Sequence, residues 1–285
     1  MSVPVPTATS RIARRFEALR TAGELGLIAY LTAGDPALDA SKRLALAVAE
    51  AGADVLELGV PFSDPLADGA VIQRASARAL RSGTTLAGVL ELVRHLRSNT
   101  EVPLVVFSYF NPLLRMGLET FAARAAAAGA DGVLVTDLPP EEASEHSKIV
   151  RARGLDTVFL AAPTTTPERL ARIAESSSGF LYLISRTGVT GAREELPEDL
   201  PELVRRCRAA TKLPLAVGFG ISLPGHVAIL GGLADAAVVG SALVAQIEQA
   251  PTLDAAIAGV RDRVRALKHA ACAGLSRRLP QGSSA

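Results

Sequence analysis

A barrel of eight parallel strands, each followed by a helix, is the fold class this sequence predicts, and three features predict it. A short apolar run, a loop and a helical stretch recur eight times along the chain. The runs are continuous in Val, Leu and Ile, as in strands covered on both faces. Twice, at Ala51–Asp54 and Ala128–Asp131, the tetrapeptide A-G-A-D precedes a run, which fits a glycine-capped helix end feeding directly into a strand. Periodicity alone does not show closure, so an open doubly wound sheet stands as the alternative at this level.

The elements follow in order. Ser10–Arg20 precedes the repeat and carries Ile12, Phe16 and Leu19 at helical spacing, which suits a helix plugging the bottom of the barrel. Strand-like runs then begin near Leu27 (LIAYL), Val55 (VLELG), Pro103 (PLVVFS), Gly132 (GVLVT), Asp156 (DTVFL), Phe180 (FLYLI), Leu213 (LPLAVG) and Asp235 (DAAVVG). Between them, Ala40–Ala51, Leu118–Ala128 and Glu141–Arg153 have the clearest helical spacing. Leu253–Leu267 puts Leu253, Ile257, Val260, Val264 and Leu267 on one stripe, as a last outer helix would. No interdomain linker is visible. The expectation is one barrel domain over 1–285, with a core of about 14–267 and flexible ends at 1–9 and 277–285.

Composition narrows the function. With 49% hydrophobic and 21% charged residues the chain can bury a large core, which excludes intrinsic disorder. Thirty basic residues against 29 acidic give a net charge of +1, so nothing electrostatic points to nucleic acid or an anionic membrane. The four lysines, Lys42, Lys148, Lys212 and Lys268, leave few candidates for Schiff-base chemistry. Cys207 and Cys272 lie far apart, and His95, His146, His226 and His269 are scattered, so no metal site is expected. The first twenty residues hold no continuous apolar stretch, and Ala228–Ile247 is broken by Gly231, Gly232, Asp235, Gly240 and Ser241. A cytoplasmic protein is expected.

A barrel's chemistry sits where its strands end. Glu57 lies inside an otherwise apolar second strand (Val55–Gly59). Desolvation there raises a carboxyl pKa toward neutrality, which suits proton transfer; an equally good alternative is a structural pair with an Arg of a neighbouring loop. The following loop, P-F-S-D-P-L-A-D-G, offers Asp64 and Asp68 beside Pro61 and Pro65. One of the aspartates is expected to cap the next helix, and the other to serve as a second, ionised carboxylate. The seventh and eighth strands end in G-F-G-I-S (Gly218–Ser222) and V-G-S-A (Val239–Ala242), glycine turns suited to a phosphate, or simply tight turns. Gly218-x-Gly220 is not a dinucleotide fingerprint, because Leu223 stands at the third glycine position. After the sixth strand, S-R-T-G-V-T-G (Ser185–Gly191) has the composition of a lid.

These segments, with L-T-A-G-D-P (Leu31–Pro36), E-L-G-V-P-F-S-D-P-L-A-D-G (Glu57–Gly69) and Y-F-N-P-L (Tyr109–Leu113), resemble the tryptophan synthase alpha chain family from about Arg14 to Leu267. The resemblance implies a barrel that splits indole-3-glycerol phosphate into indole and D-glyceraldehyde 3-phosphate by a retro-aldol step. It implies a β subunit partner in an α2β2 tetramer, with pyridoxal phosphate on that partner and no cofactor on this chain. By position, Glu57 matches the family's proton-transferring glutamate and Asp68 the aspartate that accepts the indole N–H. Tyr30, Tyr109, Leu134, Thr136 and Tyr182 match positions lining the substrate, where the family often has Phe at Tyr30 and Ala at Thr136. Gly191, Gly220, Gly240 and Ser241 match the phosphate site, and Thr190 a hydroxyl that engages Asp68 when loops 61–68 and 186–191 close. Asp64, Asn111 and Pro112 match segments facing the partner. Two rivals remain: a free-standing lyase releasing indole, and an inactive barrel that regulates a β subunit.

Overall fold

The structure is a computed structural model and describes residues 10–184, 197–218 and 220–273. The expected flexible ends at 1–9 and 277–285, and the expected lid at 185–191, lie outside the described residues.

Among the described residues the strands are β1 (Gly26–Thr32), β2 (Val55–Gly59), β3 (Leu104–Ser108), β4 (Gly132–Val135), β5 (Asp156–Val158), β6 (Leu160–Ala161), β7 (Leu181–Ile184), β8 (Leu215–Gly218) and β9 (Ala236–Val239). They pair in parallel in the order β5-β4-β3-β2-β1-β9-β8-β7-β6. The fifth expected run is thus split at Phe159, with β5 on β4 and β6 on β7. Alternation nevertheless runs straight through the break: Val158 and Leu160 belong to the inner apolar cluster, Phe159 and Ala161 to the outer one. The Tyr182 N–H also donates to the Phe159 carbonyl at 3.1 Å. β5 and β6 are therefore two halves of one strand, and the sheet meets itself there as a barrel rather than remaining open.

Alternation also sorts the core. Inward side chains, among them Ile28, Val55, Val105, Leu134, Val158, Ala216 and Val238, fill the barrel. Their outward neighbours meet the helices, including α2 (Leu38–Glu50), α4 (Leu86–Arg97), α6 (Leu118–Ala128) and α12 (Leu253–Ala273). The expected helix at Glu141–Arg153 begins only at Ser144, as α7 (Ser144–Ala152), because the chain leaving Pro139 and Pro140 first makes a turn. α12 continues past the expected Leu267 to Ala273, its stripe extended by buried Ala271.

Helix α1 (Arg11–Ala22) is the plug. Ser10 caps it and Gly23 ends it with a left-handed φ of 68°. Phe16 packs on Phe180 with ring centroids 5.8 Å apart. Leu19 and Ile12 lie so close to Gly26 and Gly132, the first residues of β1 and β4, that an added Cβ would stand 3.0 and 3.1 Å from them. The helix therefore closes the N-terminal end of the barrel.

Aspartates fasten that end. Asp54, just before β2, accepts the Leu27 N–H at 2.6 Å and pairs with Arg15 and Lys268. Asp131, before β4, accepts the Leu104 N–H at 2.8 Å and pairs with Arg97 and Arg11. Asp235, before β9, accepts the Leu215 N–H at 2.7 Å and pairs with Arg208. The two A-G-A-D aspartates thus tie β2 to β1 and β4 to β3, and Asp235 ties β9 to β8. Asp156, the first residue of β5, leaves its buried Oδ2 without a partner among the described residues.

Candidate active site

At the opposite end Glu57 sits in the middle of β2, level with Tyr30 of β1 and Val105 of β3. Val55 on its strand points into the barrel, so two residues on Glu57 does as well. It is 0% exposed, and among the described residues neither carboxylate oxygen has a hydrogen-bond partner. Burial alone pushes its pKa up to about 8. The structural alternative, a Glu–Arg pair, is not made among the described residues. Glu57 therefore enters neutral solution protonated, able to give its proton and later take one back.

Two tyrosines accompany it. An added Cβ on Gly59 would stand 2.1 Å from the Tyr30 hydroxyl, and one on Gly218 would stand 2.3 Å from the Tyr182 hydroxyl. Glycine at the ends of β2 and β8 is thus the space in which these rings lie. Both hydroxyls are held well above the usual tyrosine range by burial first, then by carboxylates: Asp68 and Glu57 at Tyr30, Glu57 at Tyr182. Phe107 of β3 packs edge-on against Tyr30 at 5.2 Å. Phe107 was not among the expected site residues, although its alternation with Val105 was a sufficient signal that it points inward.

Asp68 ends the loop that follows β2. Its Oδ2 accepts the Tyr109 hydroxyl at 3.1 Å, and that hydroxyl accepts the Ala67 N–H at 3.0 Å. The Tyr109 ring lies against Phe62, centroids 5.1 Å apart, so one side chain holds both ends of the loop. Burial raises the Asp68 pKa to about 6, with the Tyr109 hydrogen bond pulling the other way. Between about 6 and 8 the two carboxyls hold opposite protonation states, Asp68 ionised and Glu57 neutral. Neither expected aspartate cap is made. Helix α3 (Ala70–Arg81) starts at Gly69 without a side-chain cap, and Asp64 is exposed, taking the Ser63 hydroxyl at 2.6 Å.

The glycine turns separate. Helix α11 (Ser241–Gln249) starts directly from Gly240 with no side-chain cap, so its first N–H groups face the barrel mouth. Gly220 does not begin a helix. It turns the chain at φ 97°, and α10 (Pro224–Leu230) starts four residues later at a proline. Leu134 points into the barrel, and the Thr136 hydroxyl donates to the Ser108 carbonyl at 3.3 Å, so this polar departure is largely satisfied within the wall. Asn111 and Pro112 begin α5 (Phe110–Met116), where Asp137 accepts the Phe110 N–H at 2.7 Å. Thr190 and Gly191 lie outside the described residues.

Comparisons with known proteins agree with this geometry. The model of the family described as "Tryptophan synthase alpha chain" matches residues 16–272. A tryptophan synthase alpha chain of Solibacter usitatus (strain Ellin6076) is 57% identical over 240 residues, covering 84% of this chain and 90% of that one. One of Roseiflexus sp. (strain RS-1) is 52% identical over 260 residues, covering 91% and 99%. Among solved structures, a Mycobacterium tuberculosis tryptophan synthase chain superposes with a TM-score of 0.86 at 38% identity, covering 93% of this chain and 99% of that one. Tryptophan synthase subunit alpha from Legionella pneumophila str. Paris gives 0.83 at 38% identity, covering 92% and 98%.

Proposed function

The chain belongs to the tryptophan synthase alpha chain family, lyases that cleave indole-3-glycerol phosphate, and from that premise we propose how its own residues carry the reaction. The observation that carries the proposal is Glu57: buried, unpartnered among the described residues and protonated at neutral pH in the middle of β2. It protonates indole C3, turning the ring into an electron-poor cation. As the bond from C3 to the glyceryl chain breaks, its electrons return to the ring, and the adjacent hydroxyl becomes the aldehyde. The hydroxyl proton passes to the Glu57 carboxylate, which restores the acid for the next turnover. Asp68, ionised, accepts the indole N–H and stabilises the positive charge developing on the ring. Tyr30, Tyr109, Leu134, Thr136 and Tyr182 shape the indole and glyceryl pocket. The N-terminus of α11 at Gly240 and Ser241 takes the phosphate with Gly220, joined by Gly191; Thr190 meets Asp68 on closure.

The family's alpha chain carries no cofactor and works with a β subunit; pyridoxal phosphate and the α2β2 stoichiometry belong to that proposed complex. Asp64 and Asn111 are exposed, and with Pro112 they form the partner face. Leu66, 89% exposed on the same loop as Asp64, and Leu114, exposed on the same helix as Asn111, supply apolar area there. We place the chain in the cytoplasm as a single barrel domain; among the described residues no helix is long and apolar enough to cross a membrane.

Indole release from indole-3-glycerol phosphate, measured with and without a β subunit, tests the proposal. Slow release that rises by orders of magnitude with β is expected. Equally fast release alone would make the chain a free-standing lyase, and none in either case would remove Glu57 and Asp68 from catalysis.

A further inference from the structure

The motif L-T-A-G-D-P plays no part in the chemistry above, yet its aspartate is among the most buried charges of the fold. Asp35 is 2% exposed in the turn after β1. Arg78 of α3 grips it with both arms of the guanidinium, Nε to Oδ1 at 2.7 Å and Nη2 to Oδ2 at 2.8 Å. The third nitrogen of the same group, Nη1, donates to Glu248 of α11 at 2.5 Å. Glu248 is held in turn by both arms of Arg74, at 2.8 and 2.7 Å. One chain of charge, Asp35–Arg78–Glu248–Arg74, thus joins the β1 turn to two helices.

Those two helices start at the two ends of the proposed substrate site. α3 begins two residues after Asp68, and Gln73 in its first turn donates to the Asp68 carbonyl at 2.8 Å. α11 begins at Ser241. Ile72 and Ala75 of α3 and Val244 of α11 pack into the same apolar cluster beneath the site. Apolar contact lets helices slide by fractions of an ångström. A planar guanidinium held at three nitrogens does not.

We propose that Arg78 is a positioning residue: clamped between Asp35 and Glu248, it sets the span between the Asp68 carboxylate at the head of α3 and the phosphate end at the head of α11. This rests on the assignment of Asp68 and Ser241 to opposite ends of one substrate. A clamp of this kind leaves each end of the site intact and governs only how well one molecule reaches both. Its effect falls on the joined ligand and spares the halves.

Titration calorimetry on the purified chain tests this with three probes: indole, glycerol 3-phosphate, and a stable analogue in which a three-carbon chain joins indole to phosphate. Arg78→Gln is expected to weaken the joined analogue about tenfold while each half binds within about twofold of the parent. Arg78→Lys keeps the charge but not the fork, so it should behave like Arg78→Gln. Glu248→Ala, which frees α11 while Arg78 keeps Asp35, should give the same selective loss and serves if Arg78→Gln fails to fold. Equal weakening of all three probes, an unchanged joined analogue, or full recovery with lysine would overturn the clamp. If the parent chain binds the joined analogue no better than its halves, the two-ended site itself is wrong, and the clamp falls with it.

Discussion

At the N-terminal end of the barrel, Asp54, Asp131 and Asp235 each receive a strand N–H and at least one cation. Toward the C-terminal end, about ten ångströms of strand beyond Asp54, Glu57 is as buried as Asp54 and Asp131 and receives neither among the described residues. Against those two the burial and the residue class are alike, and only the partners differ. A partnered carboxylate spends its hydrogen bonds on joining strands. An unpartnered one keeps its proton, and that proton is the one the proposed reaction draws on. The difference teaches that stability and chemistry are allotted to opposite ends of the same strands.

The sharpest way to break this contrast is to neutralise Glu57. Glu57→Gln should lower turnover about 10³-fold or more while still binding the phosphate ligand, read by steady-state kinetics beside calorimetry. Retained turnover would strip Glu57 of its role. The same variant carries a stability signature. Glu57 binds its proton more tightly folded, at about 8, than unfolded, near 4.5. The parent therefore loses stability as pH rises between those values, and the glutamine variant does not. Melting curves should show the variant gaining on the parent up to about pH 8 and holding a constant lead above it, on the order of a few kcal/mol.

The opposite end should fail differently. Asp54→Ala strands Arg15 and the Leu27 N–H, leaves Lys268 with Glu24 alone, and is expected to cost about 3 kcal/mol or more of stability. Its turnover per folded molecule should stay near that of the parent, as chemical denaturation and activity on the same sample would establish. A selective loss of turnover would contradict the division of labour between the ends.

Asp68→Asn should reduce turnover about 10²-fold. In the parent, kcat/KM should follow a bell, rising as Asp68 ionises near 6 and falling as Glu57 loses its proton near 8. The asparagine variant should lack the acid limb, and a limb that persists would belong to another group. The smallest effect expected is that of Tyr109→Phe. Losing the hydroxyl that donates to Asp68 should move the acid limb upward in pH and lower kcat/KM by about tenfold. An unmoved limb would reduce Tyr109 to a wall of the pocket.

Much of this was legible in the residues. Continuous Val, Leu and Ile marked the strands, and a lone Glu among them marked a carboxyl with a raised pKa, open alike to proton transfer and to a structural pair, because desolvation follows from sequence neighbours within one strand. What was not legible depends on residues far apart in the chain. That Gly59 and Gly218 make room for Tyr30 and Tyr182 is a fact of shape between strands. Phe159 reads as mid-strand, and only the two flanking strands show that it is where the ladder breaks. The aspartates of the 61–68 loop read as helix caps by local preference, but Tyr109, some forty residues on, competes for Asp68 and wins it. The grip of Arg78 on Asp35 leaves no trace in either local pattern.

The plug has a consequence for how the protein is made. Helix α1 is the first described element to leave the ribosome, yet Phe180, against which Phe16 rests, follows more than 150 residues later. At cellular rates of synthesis that is a wait on the order of ten seconds with Ile12, Phe16 and Leu19 unsheltered. The arginines at 11, 14, 15 and 20 share the same three turns, and like gatekeepers they keep this apolar face from joining another nascent chain. The barrel is thus begun with its own stopper in hand, and the stopper is seated only when the wall it closes exists.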